Sequence, residues 1–239
     1  MPYYFYGFDW TYLVLVVPCL LLALWAQSSV NSAFRKYSKQ MSVRNITAAE
    51  AALQVLRNND IYDVRIERIP GNLTDHYDPR TNVIRLSDSV YGSTSTAAIG
   101  VACHEAGHAV QYAQNYAPIK LRAAIIPITN VGSKLAMPLI LIGILFTFLG
   151  SFSNVLIQLG ILCFSFSLIF QLVTLPVEFN ASHRALVAID QAQILTQEEL
   201  AGARKTLRAA AMTYVAAVAV ALGQLLRLIL LFGRRNDDN

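Results

Sequence analysis

Charge is what this 239-residue sequence has least of. Only 14% of its residues are Asp, Glu, Lys or Arg, against about a quarter in an average soluble domain. With 55% of the residues apolar, a disordered chain is excluded and a wholly soluble globule is disfavoured. Cysteine is equally sparse. Cys19, Cys103 and Cys163 are odd in number, two of them fall in apolar stretches, and their spacing fits neither a disulfide framework nor a zinc knuckle. They read as buried free thiols. No nucleic-acid-binding pattern is present, so the net charge of +4 points to charges placed beside a lipid bilayer.

The missing charges are missing in blocks. Residues 10–34 carry none, and neither do residues 135–177. Such blocks describe membrane segments alternating with water-facing ones. Residues 10–27 suffice for one membrane helix, at about 1.5 Å of rise per residue. Tyr3, Tyr4, Tyr6, Trp10 and Tyr12 form an aromatic belt on its N-terminal side. No basic residue precedes Asp9, so this segment reads as a retained anchor and not as a cleaved signal peptide. The 43 uncharged positions of 135–177 allow two spans, with a turn at Gly150–Asn154. Ala209–Phe232 supplies a last span, with Arg227 snorkelling to the interface.

Water-facing structure is expected between these blocks. Thr47-Ala-Ala-Glu50 matches a capping box, opening a short helix that Asn58 and Asn59 stop. Val64–Ile69 alternates like a strand, Pro70-Gly71 and Asp78-Pro79 are turn chemistry, and Asn82–Leu86 reads as a second strand. Residues 93–116 place small side chains in helical register, as in a helix buried in protein. The expected fold is therefore a mainly α membrane protein, with about four transmembrane helices and a small α+β region. Its parts are an anchor (1–34), an α+β region (35–134), a transmembrane hairpin (135–177), a polar helix (178–208), and a last span with its tail (209–239). Lys and Arg cluster after the first and third spans, which places 35–134 and 176–208 in the cytoplasm. Arg234 and Arg235 would then lie outside, against that trend.

His104-Glu105-Ala-Gly-His108 carries the chemistry. On a helix, positions i and i+4 share a face, so both imidazoles reach one metal ion, zinc being the usual one at about 2.0–2.1 Å. Glu105 sits beside that metal without ligating it, placed as a general base. The plainer reading is a pair of core histidines, but it would leave Glu105 buried and unpaired at high cost. A catalytic zinc also needs a third protein ligand. Downstream, the choices are His183 and the carboxylates Glu178, Asp190, Glu198 and Glu199. Glu178 directly follows the charge-free block and Pro176, which suits the first turn of a helix. His183 is its rival. The two are five residues apart, about 140° around a helix, and so do not ligate together.

The segments HEAGHAVQ (104–111), LPVEFNAS (175–182) and LTDHYDPRTNVIRLSDSVY (73–91) resemble the neutral zinc metallopeptidases of bacterial membranes, the YugP type. The likeness runs over nearly the whole chain. The order of HExxH, membrane hairpin and ligand Glu is also similar to the HtpX and CAAX-protease group. The resemblance implies a zincin-like catalytic region in a bacterial cell membrane, with His104, His108 and Glu178 holding zinc and Glu105 as catalytic base. One departure stands out. The HtpX-type group has an Asp four residues after its ligand Glu, where this chain has Ser182.

The expected activity is zinc-assisted hydrolysis of peptide bonds in peptide or protein substrates, membrane proteins among them, and analogy with the HtpX group suggests membrane-protein quality control. A developing oxyanion needs a second electrophile besides the metal. His183, Arg184, His76 and Tyr77 are the polar candidates, and the strand at 82–86 could present backbone to an extended peptide. Two other readings compete. An intramembrane protease of the site-2 type would place HExxH in an apolar span, whereas the flanks here are polar. A non-catalytic zinc-binding scaffold would have no use for Glu105.

Overall fold

The computed structural model describes Tyr4, Phe5 and residues 8–233; Tyr3, Tyr6, Arg234 and Arg235 lie outside the described residues. Two short strands, β1 (Tyr4–Phe5) and β2 (Phe8–Asp9), pair antiparallel. A π-helical turn (Tyr12–Val16) leads into α1 (Val17–Tyr37). Then come α2 (Ala48–Arg57), β3 (Arg65–Ile69), β4 (His76–Asp78), β5 (Val83–Ser87) and α3 (Thr96–Ala113). Three long helices complete the chain: α4 (Ala117–Leu145), α5 (Ser151–Gln191) and α6 (Gln197–Phe232). The molecule is thus mainly helical, with one small three-stranded sheet.

The chain packs as two compact units, one of residues 1–25, 121–175 and 214–239, the other of residues 26–120 and 176–213. Four helices are long and apolar enough to cross a membrane: Tyr12–Tyr37, Ala117–Leu145, Ser151–Gln191 and Gln197–Phe232. Between 11% and 28% of the residues in their most apolar stretches are buried. Apolar side chains left outward in such numbers need hydrocarbon around them, because water would oppose the exposure. The α4–α5 hairpin turns at Gly150, whose φ of +59° favours glycine. Ser153 Oγ donates to the carbonyl of Gly143 at 2.6 Å, satisfying a hydroxyl inside the hairpin.

The Arg227 guanidinium meets the Asp9 carboxylate, with Nε at 2.8 Å from Oδ2, and lies over the Tyr12 ring at 5.3 Å. One expectation changes here: Pro176 does not open a helix, but lies inside α5. Its missing N–H removes one hydrogen bond, a loss that a 41-residue helix tolerates through its remaining bonds and packing. Of the cysteines, Cys103 is buried, while Cys19 and Cys163 are half-exposed; all three are free.

The second unit holds the polar machinery. Thr47 and Glu50 form the capping box that opens α2, with Thr47 N–H donating to Glu50 Oε2 at 2.9 Å. Val55, Leu56, Ile84, Leu86, Ile99, Ala102 and Ile189 join one core that binds α2, β5, α3 and the C-terminal part of α5. In the sheet β5 is central, parallel to β3 and antiparallel to β4. Both edges of β5 are therefore occupied, and the expectation that its backbone receives a peptide is corrected. The strand β4, which ends at the Asp78-Pro79 turn, has no strand signal of its own. Its three polar residues become a strand only through pairing Tyr77 with Ile84 and its neighbours with Val83 and Arg85.

The Asp9–Arg227 pair is largely shielded, with side-chain exposures of 17% and 20%. Removing one partner strands a charge, whereas removing both does not. Thermal unfolding in detergent should show Asp9→Leu and Arg227→Leu each lowering the Tm more than the double variant does.

Candidate metal centre

Ser95 caps α3, its Oγ accepting the Ala98 N–H at 3.3 Å. The helix that follows is almost entirely buried and built of small residues, so other elements approach it closely. Closest is α5 at Gly107. A Cβ on that residue would stand 2.7 Å from the carbonyl oxygen of Ala181, so only glycine lets the two backbones meet. This contact brings Glu178, one turn before Ala181, to the face of α3 that carries His104 and His108.

The three side chains converge. Glu178 Oε2 lies 3.3 Å from His104 Nε2 and 3.4 Å from His108 Nε2. A tetrahedral zinc with bonds of about 2.0–2.1 Å keeps neighbouring donors about 3.3–3.4 Å apart. The donor set, two imidazoles and a carboxylate, also suits that metal. Among the described residues, these are the His, Cys, Asp and Glu side chains grouped so that they could hold an ion. Glu178 is 2% exposed and His108 9%.

Each histidine is oriented through its other nitrogen. His104 Nδ1 lies 3.1 Å from Ser182 Oγ, and His108 Nδ1 lies 3.0 Å from Gln111 Oε1. Ser182 thus gives His104 Nδ1 an uncharged hydrogen-bond partner. Burial draws the His108 pKa down, but the hydrogen bond to Glu178, with the charges of Glu105 and Glu178, outweighs it and leaves the pKa raised.

Glu105 stands apart from the three donors, 8% exposed, and its Oε2 accepts the backbone N–H of Tyr77 at 2.9 Å. Of Tyr77, then, the amide reaches the site. Its hydroxyl donates elsewhere, to Asn82 Oδ1 at 2.7 Å, and burial followed by the nearby Tyr112 pushes the phenol up to about 12. Asp75 anchors the start of this strand by accepting the Ser87 N–H at 2.8 Å and the Ser87 hydroxyl at 3.0 Å. Burial raises the Asp75 pKa, the Ser87 hydrogen bonds lower it, and the charge of Glu105 adds to the net rise.

The remaining candidates lie elsewhere. His76 is exposed on β4, with Nδ1 donating to the Thr74 carbonyl at 2.9 Å. His183 is exposed and lines a cleft of about 230 Å³ with Val55, Gly107, Val110 and Arg184. The structure brings neither into the three-residue group. Sequence reasoning missed Gln111 and the Tyr77 amide. Gln111 had a signal: it lies three residues after His108, on the same helical face. The amide had none, because a backbone donor is invisible in side-chain patterns.

Gly107→Ala should separate α3 from α5 and cost about 1–3 kcal/mol of stability, as overpacking does. Thermal unfolding in detergent would register the loss, and zinc stoichiometry measured alongside should fall with it.

Comparison with known proteins places the chain in a family. The family model described as "Putative neutral zinc metallopeptidase" matches residues 12–233. The chain is 46% identical over 228 residues, 95% of its own length and 99% of the relative's, to "Putative membrane protease YugP" of Bacillus subtilis (strain 168). No solved structure matches it. Through a match that spans all but its two ends, the chain belongs to the neutral zinc metallopeptidase family, membrane enzymes that hydrolyse peptide bonds.

Proposed function

We propose that the chain is a zinc-dependent endopeptidase of the bacterial cell membrane, with His104, His108 and Glu178 as metal ligands, Glu105 as general base, and the site on the cytoplasmic side. The observation that carries this reading is the 3.3 Å and 3.4 Å spacing of the donor atoms, which suits a tetrahedral zinc. When bound, the metal supplies a Lewis acid that acidifies a water and polarises the peptide carbonyl.

The protein's own groups do the rest. Glu105 takes the proton of the attacking water and delivers it to the leaving amine. In the resting site the Tyr77 N–H holds the Glu105 carboxylate in position. Burial of Glu105, His108 and Glu178 keeps bulk water from screening these charges. The helix α3 beside a three-stranded sheet supports a zincin-like catalytic region. The cytoplasmic side follows from Arg35, Lys36, Lys39 and Arg44 after the first span and from Arg184, Arg204, Lys205 and Arg208 after the third. Membrane proteins, or proteins delivered to the membrane surface, are the substrate class that this placement fits, with quality control of membrane proteins as the cellular role.

Purified wild type and Glu105→Gln should hold equal zinc, while cleavage of an unfolded protein falls about 10²–10⁴-fold in the variant, the usual worth of a general base. Wild type without zinc, or a variant that cleaves normally, overturns the proposal. Glu178→Ala should lose most of the metal. If His183→Ala loses it instead, Glu178 is not the third ligand.

Proton competition gives a further check. Protonated imidazole cannot ligate, and the His108 pKa is raised, so protons compete from higher pH than at a free histidine. Zinc uptake by metal-free protein should therefore begin to weaken already above pH 6.5, the ordinary histidine value, and fall further with pH, measured by titration at successive pH values.

A further inference from the structure

The chain of polar side chains behind His108 has a direction. Arg184 can only donate, and its Nε donates to Asn180 Oδ1 at 2.7 Å. Asn180 therefore turns its oxygen, not its amide nitrogen, towards Gln111, whose Nε2 donates to that oxygen at 2.9 Å. The second proton of the same Nε2 goes to the backbone carbonyl of Val177 at 2.8 Å, another group that only accepts. With both amide protons committed, Gln111 has only Oε1 left to offer His108, whose Nδ1 lies 3.0 Å away. An oxygen that can only accept requires a proton on that nitrogen. The proton on Nδ1 leaves Nε2 with its lone pair, and Nε2 is the atom that meets Glu178.

Gln111 is fully buried, and Arg184 at the far end stacks over the Tyr116 ring at 5.7 Å. We infer that Gln111, Asn180 and Arg184 form a positioning relay that selects the metal-binding tautomer of His108 and fixes its ring plane. Two acceptor-only contacts, one from a main chain and one set by a guanidinium, point the Gln111 amide the same way. Arg184 thereby serves the site by orienting a ligand from behind. The inference rests on His108 being a metal ligand.

The test uses full-length protein in detergent, with zinc affinity measured by chelator competition. Gln111→Leu removes the acceptor and should weaken zinc binding about 10–100-fold, the usual effect of losing a partner behind a metal ligand. Asn180→Asp and Asn180→Leu have nearly the shape of Asn180. Asp still accepts from both Gln111 and Arg184 and should bind zinc like wild type, whereas Leu accepts from neither and should bind more weakly. Histidine ¹⁵N spectra of the zinc-loaded protein should show the Nδ1 proton of His108 hydrogen-bonded in wild type and Asn180→Asp, and that hydrogen bond lost in Gln111→Leu. Equal zinc affinity in Asn180→Asp and Asn180→Leu overturns the relay, as does wild-type affinity in Gln111→Leu. If Gln111→Leu does not fold, the Asn180 pair decides, since that side chain is half-exposed. Absence of zinc from wild type would instead remove the metal reading on which the relay depends.

Discussion

Two helix backbones touch at Gly107, and the metal centre depends on that contact. Any side chain larger than hydrogen would meet the Ala181 carbonyl and move Glu178 away from the imidazoles. A shift of one ångström would be severe. Donor atoms 3.3–3.4 Å apart match a coordination sphere whose tolerance is only about ±0.2 Å. The catalytic geometry is thus a property of how α3 packs against α5, set by an absent methyl group. The same close approach lets Gln111 reach across to Val177 and Asn180, so ligand and ligand support come from one helix pair.

Burial gives the arrangement its force. A carboxylate such as Glu178, 2% exposed, is costly in a protein interior unless charge or hydrogen bonds compensate it. Two imidazoles and a divalent metal are a strong compensation. Glu105 is treated differently. Its carboxylate accepts a backbone N–H from Tyr77 and lies outside the donor cluster. The two glutamates are 73 positions apart in sequence and differ in role because their neighbours differ.

Much of this was legible in the sequence, for identifiable reasons. Uncharged blocks have one physical use, so the membrane helices announced themselves. The capping box at Thr47 and Glu50 and the alternation at 65–69 are local signals, and local structure followed them. HExxH is local as well, because its geometry is one turn of one helix. Glu178 stood out by its place directly after the charge-free block, with His183 as its rival, and the family resemblance favoured it. What stayed hidden was non-local. His76–Asp78 looks like loop until β5 pairs with it, and the contact of Arg227 with Asp9 joins residues 218 positions apart. The direction of the relay from Arg184 to His108 required knowing which atoms face one another.

The metal donors are widely separated along the chain, with His104 and His108 in α3 and Glu178 in α5. During synthesis, α3 leaves the ribosome long before Glu178 does, and the apolar hairpin of α4 and α5 is made in between. A growing chain therefore carries two imidazoles and a base but no third donor until that hairpin has been completed. Under the proposed ligand set, proteolytic competence would come late, after the apolar segments of α4 and most of α5 have been made.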